Sequence, residues 1–287
     1  SPSEKEITAN ANVFNAVRKI KNILTTDVGA SFHYGVQVGN GGFLMQNTSS
    51  IVGNIYSNGG VIGENSNNVS ADVVSAGPSG IINGINAGKT AYAHTIEDSE
   101  IGGDAYYQHI LDTSVSGSSF PGSADKSPLP MPISDSTISD WENAASTNII
   151  NCSGTYTIDS DTTLGPTKIT CDLKIRNNPI VTITAPVWVA GNITFNNSPT
   201  VKTSISSGKS VAFIADNQVN RTTSSKISLN QQANFEAGTE GSYLLFISMN
   251  NGAEGEGNEI AIASEQGSSG NVLLYAPHGL IRLSQSA

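Results

Sequence analysis

The residues in this chain whose types and spacing could do chemistry are mostly carboxylates. Glu254, Glu256 and Glu259, with glycines between them, could wrap a Ca²⁺ ion, which takes carboxylate oxygens. Glu97, Asp98, Glu100 and Asp104 could gather on one flank. Neither group follows the EF-hand loop or the Gly-Gly-x-Gly-x-Asp repeat, and a solvated acidic loop accounts for both. Asp159 and Asp161 could project from one side of a strand, where a glycosidase would need its two carboxylates within about 10 Å. Two Asp at a strand end are also ordinary turn formers. The histidines, His33, His94, His109 and His278, stand at no metal-ligand spacing with another His or Cys. His278, in Ala276-Pro277-His278-Gly279, reads as a corner residue. There is no Gly-x-Ser-x-Gly elbow, phosphate-binding glycine loop or His-Glu-x-x-His. No catalytic, cofactor-binding or metal-ligating residue is assigned on this basis.

The elements that would carry such residues are coils of a solenoid. Ser50-Ile51-Val52-Gly53-Asn54-Ile55-Tyr56-Ser57-Asn58-Gly59 returns at 68–77, 18 residues later, and more weakly at 100–107. Apolar, small, Asn or Asp, apolar, then a turn is the shared pattern. A repeat of this length, with short β-favouring runs between Gly, Asn and Ser corners, means that stacked neighbours bury what no single unit can. The fold class is all-β, a parallel β-solenoid (β-helix), with one short α-helix packed on its side or end. Asn54 and Asn58 first look like ligands. Across the copies they become Asp72 and Asp104, or Ala76 and Gln108, which suits solvent-facing and corner positions better.

Cys152 and Cys171 lie 19 residues apart, again about one coil. Residues one coil apart can sit above one another, near the Cα separation a disulfide needs. The alternative is two buried free thiols. The bridge is favoured, and it implies an oxidising, extracellular location.

Composition agrees. Only 13% of the 287 residues are charged, about half the usual share, and Asn, Ser, Thr and Gly take the surface positions. The net charge is −10 and the one basic cluster, Arg18-Lys19-Lys21, is too small to track phosphates, which argues against a nucleic-acid partner. No transmembrane run or signal peptide is present. Ser1-Pro2-Ser3, without an initiating Met, reads as a mature or truncated start.

Taken in order, residues 1–28 read as an N-terminal hairpin, although Val13, Phe14, Val17, Ile20, Ile23 and Leu24 also fit a helical face. Residues 29–118 form a first stack, opened by the alternating Phe32, Tyr34, Val36 and Val38. In the connector and helix of 119–149, four prolines fall within residues 121–132. Ser134 is the predicted N-cap of a helix at about 135–146. Asp135 follows in the first turn, Ile133 and Ile138 form a staple, and Trp141 is the anchor. Residues 150–287 form a second stack continuous with the first. There Asn177-Asn178-Pro179 is echoed by Asn196-Asn197-Ser198-Pro199, the Asn-Asn pair at an offset of 19. Heavier runs, such as Val187-Trp188-Val189-Ala190 and Tyr243-Leu244-Leu245-Phe246-Ile247, suit strands covered on both faces. The helix or the hairpin would be their cover. The last strand-like segment, at 281–284, is expected to leave a rung uncovered, to be met by further protein or a partner.

Through most of its length the chain resembles exported, pilin-like β-solenoid proteins of uncultivated bacteria, similar to minor type IV pilins. The resemblance is carried by Phe32-His33-Tyr34-Gly35-Val36-Gln37-Val38-Gly39, Gly53-Asn54-Ile55-Tyr56-Ser57-Asn58-Gly59, Pro132-Ile133-Ser134-Asp135, Leu164-Gly165-Pro166-Thr167-Lys168-Ile169, Trp188-Val189-Ala190-Gly191-Asn192-Ile193-Thr194 and Tyr275-Ala276-Pro277-His278-Gly279. In such proteins a hydrophobic pilin helix precedes the head; this sequence lacks it, and residues 4–26 would be the remnant of that head. The resemblance implies export, surface display and pilus-tip adhesion, with other pilin or surface subunits, or cell-surface glycans, as partners. It transfers no catalytic residue. The expectation is a non-enzymatic, structural or adhesive surface protein. The alternative is a carbohydrate-binding or polysaccharide-degrading right-handed parallel β-helix protein.

Overall fold

Short strands separated by Gly and Asn corners cannot bury their side chains alone, and in the computed structural model they do so by stacking. The described residues are 4–13, 16–25, 36–204, 210–238, 242–254, 259–265 and 267–284. From Val36 onward they wind into a parallel β-solenoid with three walls, and every described pairing in it is parallel. A complete coil gives one short strand to each wall. Ile55–Ser57 and the two ends of Val61–Val69 make one coil; Val73–Ser75 and the two ends of Ile81–Ala87 make the next. Ile55 lies opposite Val73 and Ser50 opposite Asn68, so the 18-residue repeat is one coil. A further copy, Asn86–Tyr92, follows in register, with Ala91 opposite Val73. Its small Ala87 and Ala91 hide it from a hydrophobic pattern. The coils then shorten to 14 residues, from Ala91 to Ala105 to Ser119.

Residues 1–32 are a separate unit. In it Glu4–Val13 and Ala16–Thr25 pair antiparallel, Glu4 opposite Thr25 and Val13 opposite Ala16. Phe32 and Tyr34 lie outside the described residues; the alternating run they open ends in the strand Val36–Val38.

The order of strands in the walls is not the order of the chain. The 12-stranded wall begins with Ser119–Pro121 at one end and finishes with Ile149–Ile150 at the other. In its middle, Val36–Val38 pairs with Val272–Ala276, Gln37 opposite Tyr275. Beside it, Phe43–Gln46 pairs with Leu280–Leu283, Ile281 opposite Phe43. The run from Val36 therefore climbs toward one end, and the run from Ile149 starts at the other end and climbs until the two meet. The last described strand is thus paired rather than uncovered, which corrects the expectation drawn from its sequence. The seam is tight. A Cβ on Gly39 would lie 1.8 Å from the Pro277 carbonyl oxygen, and one on Gly41 would lie 2.4 Å from the Gly279 carbonyl carbon.

The segment between the runs returns along the outer side of the 12-stranded wall as a strap. Ser123 N donates to the Tyr107 carbonyl, Gly77 N to that of Lys126 at 2.8 Å, and Tyr56 Oη to that of Ser127 at 2.8 Å. Asn58 clamps Leu129 from both sides, donating to its carbonyl at 2.9 Å and accepting from its amide at 3.0 Å. The strap ends in helix α1, Asp135–Ala145, which packs on Val187–Val189 and Thr167–Ile169. On this wall α1 thus covers Val187–Val189, and Val211–Ala215 and Leu244–Ser248 are buried at every position.

Local chemistry sets the ends of α1. Ser134 caps it, its Oγ accepting from Thr137 N at 3.2 Å, Asp135 occupies the first turn, and Ile133 and Ile138 are both buried. The anchor is not Trp141, which is only half-buried. Ile138, Glu142 and Ala145, at helical spacings of four and three, form the inward line. Inside the second run Phe195 is fully buried, its ring centroid 5.3 Å from that of Phe235 and 5.5 Å from that of Phe246.

Candidate functional site

The Asn and Asp of the repeat are corner fittings. A chain turning between walls leaves an amide unpaired, and a short side-chain oxygen on the adjacent coil can accept from it. Asn54 Oδ1 accepts from Asp72 N at 3.1 Å, and Asp72 Oδ1 from Thr90 N at 3.0 Å. Asp104 Oδ1 accepts from Ser118 N at 2.8 Å, Asp172 Oδ1 from Asn192 N at 2.8 Å and Asn192 Oδ1 from Lys226 N at 3.0 Å. Asp161 does the same for Ile180 N at 2.8 Å, the turn role also weighed for it from the sequence.

A second corner uses two consecutive residues at positive φ: Asn177 and Asn178, Asn197 and Ser198, Gln231 and Gln232. Arg176 lies opposite Asn196, so this echo has an offset of 20, not 19. The doubled Asn slips by one position because either amide suits the left-handed region; the aligned prolines, Pro179 and Pro199, mark the true register.

The acidic clusters disperse. Glu97 accepts from Asn83 at 3.2 Å, while Asp98 turns a corner with φ 47°. Glu254 meets His278 Nδ1 at 2.8 Å, Glu259 is paired with Lys226, and Glu256 lies outside the described residues. Among the described residues, no three His, Cys, Asp or Glu side chains gather to hold a metal. His94 contacts the Asp125 carboxylate through Nδ1 at 3.1 Å and His278 faces Asp135 at 3.6 Å, which makes both of them strap contacts; His33 lies outside the described residues. Cys152 and Cys171 are disulfide-bonded, their Cα atoms 5.5 Å apart, and join the first two coils of the second run.

One cluster was not legible as a site. Under α1, Glu142 is 2% exposed and Asp216 fully buried. Arg221 donates to both Asp216 oxygens, from Nε at 2.8 Å and Nη2 at 2.6 Å. Gln218 Nε2 donates to Glu142 Oε2 at 2.9 Å, while buried Oε1 has no donor. Burial, then the hydrogen bond to Asp216 and its charge, push the Glu142 carboxyl up to about 8. A proton on Oε1 makes it a donor to Asp216 and satisfies both groups. Asp216 in turn raises the Arg221 guanidinium above its usual value. The signal in the sequence was the spacing of Ile138, Glu142 and Ala145, which puts an acid on the buried stripe. Such a pair can store a proton, but with α1 docked no substrate reaches it.

Two surfaces stand out among the described residues. On the third wall of the first run, a cleft of about 390 Å³ crosses five coils. Its polar row is Ser50, Asn68, Asn86, Glu100 and Ser114, and its floor includes Ile51, Val69, Ala87 and Ile101. On the 12-stranded wall, Tyr92, Tyr106 and Phe120 stack with centroids 4.5 Å apart, so neighbouring rings occupy each other's faces. The lining of the cleft includes one carboxylate, Glu100. No known protein family, no curated protein and no solved structure matches the chain.

Proposed function

We propose that the protein is a non-enzymatic, extracellular β-solenoid that serves a structural or adhesive role at a cell surface, in the manner of a minor pilin. The observation that carries this reading is how the polar side chains are used. The recurring Asn and Asp residues hold coil to coil, and among the described residues the one carboxyl pushed far above its ordinary value, Glu142, is sealed beneath α1. The disulfide suits an oxidising compartment. The seam adds a geometric point: Val36 and Leu283 both lie mid-stack, so both ends of the solenoid are remote from these two positions. Surface subunits or glycans are the proposed partners. The test is co-fractionation of the native full-length protein with sheared surface filaments, alongside incubation with a panel of polysaccharides. Filament association without new sugar ends is expected; catalytic release of oligosaccharide would overturn the reading.

The second reading, a carbohydrate-binding solenoid, is favoured by one observation. The amide and carboxylate row of the cleft repeats once per coil, about 4.8 Å, along the axis. Binding of linear glycans that is lost on Asn68→Ala together with Asn86→Ala would support it; unchanged binding would remove the cleft from consideration.

A further inference from the structure

We propose that Glu142 and Asp216 form a pH-operated latch, which holds α1 on the solenoid wall at acid pH and releases it as the pH rises. It rests on the packing of α1. The helix buries Glu142 with its Oε1 unpartnered beside the buried Asp216, and a proton on that oxygen removes both the buried charge and the missing bond. The groups that face this pair come from every neighbouring element. The loop after Val211–Ala215 supplies Asp216, Gln218 and Arg221, with the Trp188 Nε1 donating to the Asp216 carbonyl at 2.8 Å. The wall beneath supplies Lys168, whose Nζ lies 3.4 Å from the Trp188 ring centre. At the N-terminal end of α1, Asp135 faces His278, which also holds Glu254. Among the described residues Arg221 is the cation bound to the pair, through Asp216. Its bidentate bond offsets chiefly the charge on Asp216, and its pull on Glu142 is smaller than the burial and the Asp216 contact that raise that group.

The sign follows from linkage. Released, Glu142 titrates near its ordinary 4.5; docked, it titrates at about 8. Between these values the docked helix keeps a proton that the released helix has lost. Docking is therefore strongest below the lower value, weakens up to about tenfold per pH unit through the window, and levels off above the upper one.

Hydrogen exchange of the amides of residues 133–146, corrected for intrinsic rates, tests this at pH 5.5 and 7.5. Wild-type protection of α1 should fall by up to about a hundred-fold, while Leu244–Ser248 stays protected. Glu142→Gln mimics the protonated acid, accepting from Gln218 and donating to Asp216, and should keep α1 protected at both values. Wild-type protection that does not change, or an equal fall in Glu142→Gln, would overturn the latch. A second measurement keeps native Glu142: acrylamide quenching of Trp188 in a Trp141→Phe background. Quenching should rise between pH 5 and 8; quenching independent of pH would refute release.

Discussion

Tyr275 Oη donates to the Ile133 carbonyl at 2.6 Å and accepts from the Ile133 amide at 3.2 Å. One buried phenol thus satisfies both backbone groups of the residue just before the N-cap of α1. Tyr275 belongs to the seam coil, opposite Gln37, so the contact ties the strap to the place where the two runs meet. Burial pushes this phenol above its usual range, which keeps it protonated, and so a donor, well into alkaline pH.

Tyr275→Phe should therefore leave a buried amide and carbonyl unpaired. A loss of about 2 kcal/mol or more is expected in urea unfolding, because each orphaned group costs roughly 1–3 kcal/mol. A change under about 0.5 kcal/mol would show that the strap does not depend on this contact.

Gly39→Ala places a methyl against the Pro277 carbonyl oxygen, 1.8 Å away, and the atoms it meets are backbone. The seam should loosen by roughly 3 kcal/mol, a loss in the range for core overpacking. Faster hydrogen exchange in Phe43–Gln46 and Leu280–Leu283 is the readout. Gly122→Ala, which meets nothing within 4 Å but has φ +73°, is the control for backbone strain alone.

Asp72→Ala removes the acceptor for Thr90 N and should cost about 1 kcal/mol. Val52→Ser, at a position 94% exposed, should stay within about 0.5 kcal/mol of wild type. Thermal melts of the two variants separate corner fittings from display positions. Equal melting of both would deny the corner role.

The Cys152–Cys171 bridge closes a loop of 19 residues, so Cys152→Ser with Cys171→Ser should cost roughly 3 kcal/mol. Mass spectrometry of the native protein, alkylated without reductant, should find no free thiol. Two modified cysteines would refute the bridge.

Much of the solenoid is legible in the chain because its neighbours are one coil apart. Ile51 and Val69, or Asp172 and Asn192, meet through a spacing that the repeat itself displays. The cap at Ser134 and the pairing of Cys152 with Cys171 are local in the same sense. Where coils differ in size or lack large side chains, the pattern fades, as at Ala87 and Ala91. The doubled Asn at 177 and 196 misleads by one position.

The amino-acid sequence by itself determined the coil, its corners, the helix and the disulfide, because each depends on residues within about one turn of the stack. Only the tertiary structure decided the order in which the coils stack. No period relates Phe43 to Ile281 or Ile133 to Tyr275; those contacts exist because two runs with open edges meet at a seam and the strap returns along one wall. The pairing of Glu142 with Asp216 is of the same kind. Each is an ordinary acid in sequence, and the packing of α1 brings both into one buried cluster.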